Sequence, residues 1–321
     1  MIEKIAIIMI ALLSQLNVVS ENQNNVGFLN RFIKEDAVNT RFNLQEENWS
    51  YYNNTKVKKN VLWTLPNKVK GAVDFNVSAK SAVVLDVGTN AILYSKNSDE
   101  NLPIASLTKI MTALVVLDNT DLSEVATISR NAFGVGGSKN GLAVGEKISV
   151  ENLLKVMLVS SNNIAATALA EHTGGNMNDF VELMNEKADL IGLENTKFLN
   201  PSGLDGAKGD NISTAYEMAQ LVNYALEKPL IWEILRIQKT TVDSTDEKIK
   251  HRLKNTNLLL GKLKNITGGK TGLTDDAGQC LTLIVGDPEN NHRIISVVLN
   301  ADNRFLETEK LVKWVFGCYQ W

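Results

Sequence analysis

Three short patterns carry side chains able to do chemistry on a peptide: Ser106-Leu107-Thr108-Lys109, Ser161-Asn162-Asn163 and Lys270-Thr271-Gly272. A hydrolase needs an activated nucleophile, a base within hydrogen-bond reach of it, and donors aimed at the oxyanion that develops. On a helix, residues three apart share a face, so the Lys109 amine can approach the Ser106 hydroxyl. A lysine serves as base only when desolvation or a neighbouring cation depresses its pKa, and Ile104, Ala105, Ile110 and Met111 offer the apolar setting for that. Ser161 and Asn163 fall where one predicted helix ends and the next begins, a junction from which a hydroxyl and an amide can enter one cleft. Lys270, Thr271 and Gly272 follow Gly268-Gly269 and precede a predicted strand. A cation and a hydroxyl beside a glycine suit an exposed strand edge, where an extended peptide could lie with its carboxylate on Lys270 and Thr271. Taken singly, each pattern also reads as ordinary structure: a capping serine with a surface lysine, a helix cap, and a glycine-rich turn.

The elements that must position these groups are legible around them. Ala82 to Val87 and Ala91 to Lys96 are β-type runs separated by Gly88-Thr89-Asn90, a hairpin signal. Helical spacing is expected over Ser106 to Leu117, Val150 to Ser160, Asn163 to Glu171, Phe180 to Ile191 and Ala215 to Leu226. Strand character returns at Gly278 to Gly286 and Ile294 to Leu299, joined by a polar loop, and a last amphipathic helix is expected over Thr308 to Phe316. Hairpins at both ends with helices between predict an α+β domain whose mainly antiparallel sheet is assembled from the two ends of the chain. The run Gly134 to Gly141 matches no phosphate-binding fingerprint and reads as a loop.

Composition limits the alternatives. Of 321 residues, 44% are apolar and 21% charged, with five prolines, which describes a globular chain. A net charge of -3 gives no broad basic field, so nucleic acid is not an expected partner. His172, His251 and His292 are far apart and form no zinc-hydrolase motif, so no metal or other cofactor is expected. Of the two cysteines, Cys280 lies in an apolar run and reads as a buried free thiol. Lys4 precedes the apolar run Ile5 to Leu13, which reads as an export signal or N-terminal anchor over residues 1–20. Residues 21–77, rich in Asn and charge, read as a polar linker with possible docking of Trp49, Tyr51, Tyr52 and Trp63, ahead of a catalytic domain over 78–321.

The three patterns occur in one order, with about fifty and about a hundred residues between them, and that combination is specific. It resembles the signature of penicillin-binding proteins and class A β-lactamases. PIASLTKIMTAL (Pro103 to Leu114), LLKVMLVSSNNIAATALAEH (Leu153 to His172), NPSGLDG (Asn200 to Gly206), STAYEMAQL (Ser213 to Leu221) and GGKTGLTDDAGQCL (Gly268 to Leu281) resemble the low-molecular-mass D-alanyl-D-alanine carboxypeptidases. The resemblance covers about Ser78 to Trp321. It implies a transpeptidase-like fold, an antiparallel sheet flanked by helices with a helical subdomain. It also implies an exported, penicillin-sensitive enzyme of the cell envelope that acts on peptidoglycan stem peptides and binds β-lactams covalently. Residue by residue, it implies Ser106 as nucleophile, Lys109 as base and Ser161 as the proton donor to the departing D-alanine. Asn163 would bind the substrate amide, Lys270 and Thr271 would hold the carboxylate beside Gly272, and the Ser106 and Leu273 N–H groups would form the oxyanion hole.

Two departures bear on specificity: Asn162-Asn163-Ile164 stands where relatives read Gly-Asn-Asp, and Ser202 stands where a histidine is frequent. A C-terminal β-rich domain, carried by many relatives, is not expected here, so membrane association would come from the N-terminus. Thr196 stands where a class A β-lactamase would carry its deacylating glutamate. A D,D-endopeptidase, a β-lactamase and a non-catalytic wall-binding module remain the other readings.

Overall fold

The computed structural model describes residues 65–321 apart from 74, 137–140, 207–208 and 288–291. The expected leader and most of the expected linker lie outside the described residues. The hairpin forms as read, from β1 (Ser81–Asp86) and β2 (Ile92–Lys96). Its turn is held by Asp86, whose carboxylate accepts from the Thr89 amide at 2.8 Å and hydroxyl at 2.6 Å, while Asn90 takes the left-handed φ of 58° that asparagine tolerates.

Three strands from the other end of the chain complete a five-stranded antiparallel sheet: β3 (Ile266–Thr274), β4 (Gly278–Gly286) and β5 (Arg293–Ala301), in the order β3-β4-β5-β1-β2. The pairing of β5 with β1, with Ser296 opposite Val84, joins the two ends of the chain. Strand β3 is an edge, so one side of the segment carrying Lys270 to Gly272 is left open for an extended ligand.

Between the two halves run α1 (Lys109–Asn119), α2 (Arg130–Gly134), α3 (Val150–Val159), α4 (Asn163–Gly174), α5 (Met177–Ile191), α6 (Ala215–Ala225) and α7 (Pro229–Arg236). The chain then closes with α8 (Arg304–Cys318). Both sheet faces are covered, because alternate residues of each strand are apolar on both sides. Val83, Leu85, Ile284, Ile295, Val297 and Leu299 share a core with the central helices, while Ala82, Val84, Leu281, Leu283 and Val298 pack on Leu311, Val312 and Val315 of α8. Each of the larger side chains contributes roughly 2 kcal/mol through the area it removes from water.

Packed structure starts ahead of Ser78, which corrects the extent of the expected linker. Asn67 and Lys68 pair with Gln320 and Tyr319, Val77 is buried, and the Phe75 ring stacks on Trp314 with centroids 5.9 Å apart. The partners of this strap lie at the far end of the chain, so no local pattern announces it. Cys280 is a buried free thiol, as read, and burial pushes its pKa up to about 11. Among the described residues no helix is long and apolar enough to cross a membrane.

Candidate active site

Ser106 does not lie in the α-helix expected for it but in a 3-10 turn, Ala105–Thr108, that leads into α1. The difference favours the chemistry, because residues three apart nearly eclipse in a 3-10 turn. The turn is entered through Ala105 at φ 46°, a left-handed conformation costly for a residue with a Cβ. It is over-determined by its surroundings. Thr108 Oγ1 donates to Ala105 O at 2.8 Å and accepts from Asn211 Nδ2 at 2.9 Å. Gly203, at φ 74°, presses so close that a Cβ there would sit 1.8 Å from Ala105 O. Gly272 on β3 approaches from another side, where a Cβ would come within 3.0 Å of Ile104 O and 3.1 Å of Ala105 Cβ.

Lys109 is fully buried, and its amine meets three acceptors: Ser106 Oγ at 2.7 Å, Asn163 Oδ1 at 2.8 Å and Ser202 O at 2.6 Å. Burial, and then the charge of Lys270, hold its pKa well below the usual lysine value. A neutral amine has two protons and one lone pair. The Asn163 and Ser202 carbonyl oxygens can only accept, so they take the two protons, and the lone pair is left facing the Ser106 hydroxyl. The Asn163 amide is oriented by its other end, whose Nδ2 donates to Gly136 O at 3.0 Å.

The second pattern is split between structure and cleft. Asn162 caps α4, its Oδ1 accepting from Ala165 N at 2.8 Å, which leaves Asn163 and Ser161 on either side free for the site. Ser161 is held at a left-handed φ of 57° in the tight link between α3 and α4. Its hydroxyl accepts from Lys270 Nζ at 2.7 Å, and Lys270 also donates to Thr271 O at 2.8 Å. Burial, then the nearby Arg304 guanidinium, pull the Lys270 pKa down to about 7. The Thr271 hydroxyl meets that of Thr256 at 2.5 Å. Leu273, two residues further along β3, has its side chain exposed and pairs with Gln279.

Ser106, Lys109, Ser161, Asn163, Lys270 and Thr271, drawn from three distant segments, therefore meet at one place, with Gly272 against the turn that carries Ser106. Sequence reasoning missed Arg304, which donates from Nη1 to Gly272 O at 2.7 Å. A signal was present: Arg304 opens α8, where a cation opposes the helix dipole. It also missed the Ser202 carbonyl, since a backbone acceptor has no signature in residue type. The carboxylates of Asp205, Asp210 and Asp276 also gather on the segments that flank Ser106, their oxygens within 4.8 Å of one another. Burial, then Asp205 and Asp276, raise the pKa of Asp210. Thr196 is turned away from catalysis, donating to buried Glu217 at 2.6 Å; Glu217 is further engaged by Asn195 N at 2.8 Å.

A serine on a buried lysine, under an open sheet edge in an α+β frame, defines the active-site-serine class with the penicillin-binding fold. A family model described as D-alanyl-D-alanine carboxypeptidase, peptidase S11, matches residues 67–303, and the chain belongs to that family. Among curated relatives, the carboxypeptidase DacF of Bacillus subtilis is 36% identical over 75% of this chain and 63% of its own length. A D-alanyl-D-alanine endopeptidase of Pseudomonas aeruginosa is 35% identical over 78% of this chain and 81% of its own. Among solved structures, penicillin-binding protein D2 of Listeria monocytogenes, in its cefotaxime-bound form, superposes with a TM-score of 0.68 at 32% identity, covering 76% of this chain and 99% of that one. The chain thus spans a little under two thirds of the Bacillus relative and most of the other two.

Proposed function

We propose that the protein is a D-alanyl-D-alanine carboxypeptidase that removes the terminal D-alanine from peptidoglycan stem peptides through an acyl-enzyme on Ser106. The observation that carries this reading is the buried Lys109 amine 2.7 Å from Ser106 Oγ, with its two other contacts on carbonyl acceptors.

The peptide lies along the open edge of β3 with its carboxylate on Lys270 and Thr271. Neutral Lys109 takes the Ser106 proton as Oγ bonds to the carbonyl carbon, and the oxyanion is received by the Ser106 and Leu273 N–H groups. When the C–N bond breaks, the proton held by Lys109 returns through Ser161 to the leaving amine. Water then hydrolyses the ester and regenerates the serine. A β-lactam would acylate the same serine, its ring C–N bond breaking to give an ester that keeps the ring amine attached, a reading supported by the β-lactam complex of the Listeria relative.

A D,D-endopeptidase on peptidoglycan cross-links is the second reading, favoured by the Pseudomonas relative of that name. Mass spectrometry of products from a defined muropeptide separates the two: the first reading expects loss of one alanine, and cleavage of a cross-linked dimer with no alanine released would replace it with the second. The protein acts in the cell envelope on this reading, delivered by the leader in residues 1–20; N-terminal sequencing from the native envelope distinguishes a start near Glu21 from a retained anchor at Met1.

A further inference from the structure

The turn Asn255-Thr256-Asn257 lies between the second strand of a hairpin (Lys239–Asp243 with Lys250–Lys254) and the approach to β3. Its two asparagines are buried and serve the backbone. Asn255 Nδ2 donates to Leu235 O at 3.0 Å and Ile237 O at 2.8 Å, and its Oδ1 accepts from Asn257 N at 2.8 Å. Asn257 Oδ1 accepts from Leu259 N at 3.0 Å. Thr256, between them, is half-buried and faces the other way, onto the cleft. Its amide donates to Val159 O at 3.3 Å, at the end of α3 just before Ser160 and Ser161. Its hydroxyl is 2.5 Å from Thr271 Oγ1. Thr256 thus ties the helix end that presents Ser161 to the strand that presents Thr271.

Each hydroxyl has one proton to give, and a carboxylate can only accept. When Thr271 gives its proton to a carboxylate, its oxygen can meet Thr256 only as an acceptor, so Thr256 must be the donor. The result is a directed chain, Thr256 to Thr271 to carboxylate, in which each bond strengthens the next.

We propose that Thr256 is a positioning residue for the substrate carboxylate, acting through Thr271: it sets the direction of the Thr271 proton and makes that hydroxyl a better donor. The inference rests on the reading that Lys270 and Thr271 anchor the carboxylate. It adds a residue that no side-chain pattern in the sequence singles out.

The test compares acylation of the full chain by benzylpenicillin and by its methyl ester, in which the carboxylate is capped. Thr256→Val removes the hydroxyl at nearly constant shape, and active sites are titrated so that only folded protein is counted. The expected result is that Thr256→Val slows acylation by benzylpenicillin roughly tenfold, the size of one lost hydrogen bond. The methyl ester rate stays at the wild-type value, Thr256→Ser restores the benzylpenicillin rate, and Thr256→Val adds nothing on top of Thr271→Val. Equal slowing of both ligands would assign Thr256 a merely structural role and overturn the proposal. A wild-type rate in Thr256→Val beside a slow Thr271→Val would overturn it while leaving the carboxylate anchor standing. Wild-type acylation by Thr271→Val would remove the anchor and the inference together.

Discussion

Lys270 Nζ reaches Ser161 Oγ at 2.7 Å across 109 residues of sequence, and this contact joins the edge strand of the sheet to the link between α3 and α4. A cation so buried is held in a balance that a ligand can shift. Its pKa is drawn down to about 7 by burial and then by Arg304, and a bound carboxylate supplies the opposite charge that raises it.

Binding of a D-alanyl-D-alanine peptide should therefore be linked to protons. Below a pH of about 7 the free Lys270 already carries its proton, and binding takes up none. Above that value the free amine is mostly neutral while the complex holds it charged, so binding takes up close to one proton. Calorimetry on the Ser106→Ala protein at about pH 8.5, in two buffers of different ionisation enthalpy, measures the uptake. Uptake that is the same at about pH 6 and about pH 8.5 would assign the carboxylate to another group.

The proposed mechanism needs Lys109 as a base and not merely as a charge. Lys109→Arg keeps a cation, but a guanidinium cannot be deprotonated at working pH and has no lone pair to offer Ser106. Acylation by a fluorescent penicillin should fall by roughly a hundred- to ten-thousandfold. A rate near that of the wild type in stopped-flow labelling would mean that another group takes the proton.

Gly203 holds the Ser106 turn by lacking a side chain. Gly203→Ala places a methyl group 1.8 Å from Ala105 O at a φ of 74°, so backbone must move. The left-handed conformation alone costs about 1–3 kcal/mol. Both a lower melting temperature and slower acylation are expected, whereas Gly206→Ala, whose Cβ would have its nearest neighbour at 3.7 Å, should change neither. Unchanged melting and acylation in Gly203→Ala would refute this account of the turn.

What was legible in the sequence follows from how local each cause is. Hairpin β1-β2 and strand β4 are written in short β-type runs with turn residues between them, and β4 falls on Gly278–Gly286 as expected. Ser106 with Lys109 is an i, i+3 relation that survives the change from α-helix to 3-10 turn. The strand carrying Lys270 to Gly272 is an edge, as its glycines suggested. Harder to read were features whose reason lies elsewhere in the chain. The Lys239–Asp243 and Lys250–Lys254 hairpin carries alternation as its signal and was not expected, and neither was α7, although Pro229 at its start is a residue that favours the first turn of a helix. The strap at Asn67–Lys68 depends on Tyr319–Gln320, and Arg304 and Thr256 acquire their meaning from contacts with Gly272 and Thr271.

The central claim is that Ser106, activated by Lys109, forms an ester that water clears readily after a peptide and slowly after a β-lactam. Cleaving the peptide frees D-alanine and opens space for water, whereas an opened lactam keeps its leaving group tethered in the site. Thr196 occupies the position of the class A deacylating glutamate, and Glu217 beside it is already engaged by Thr196 and Asn195. Intact-mass spectrometry after mixing with excess benzylpenicillin tests this most directly. The account predicts a one-to-one adduct that persists for minutes or longer, maps to the peptide containing Ser106 and is lost in Ser106→Ala. Rapid hydrolysis of the penicillin with no trapped adduct, or an adduct that survives in Ser106→Ala, would contradict it.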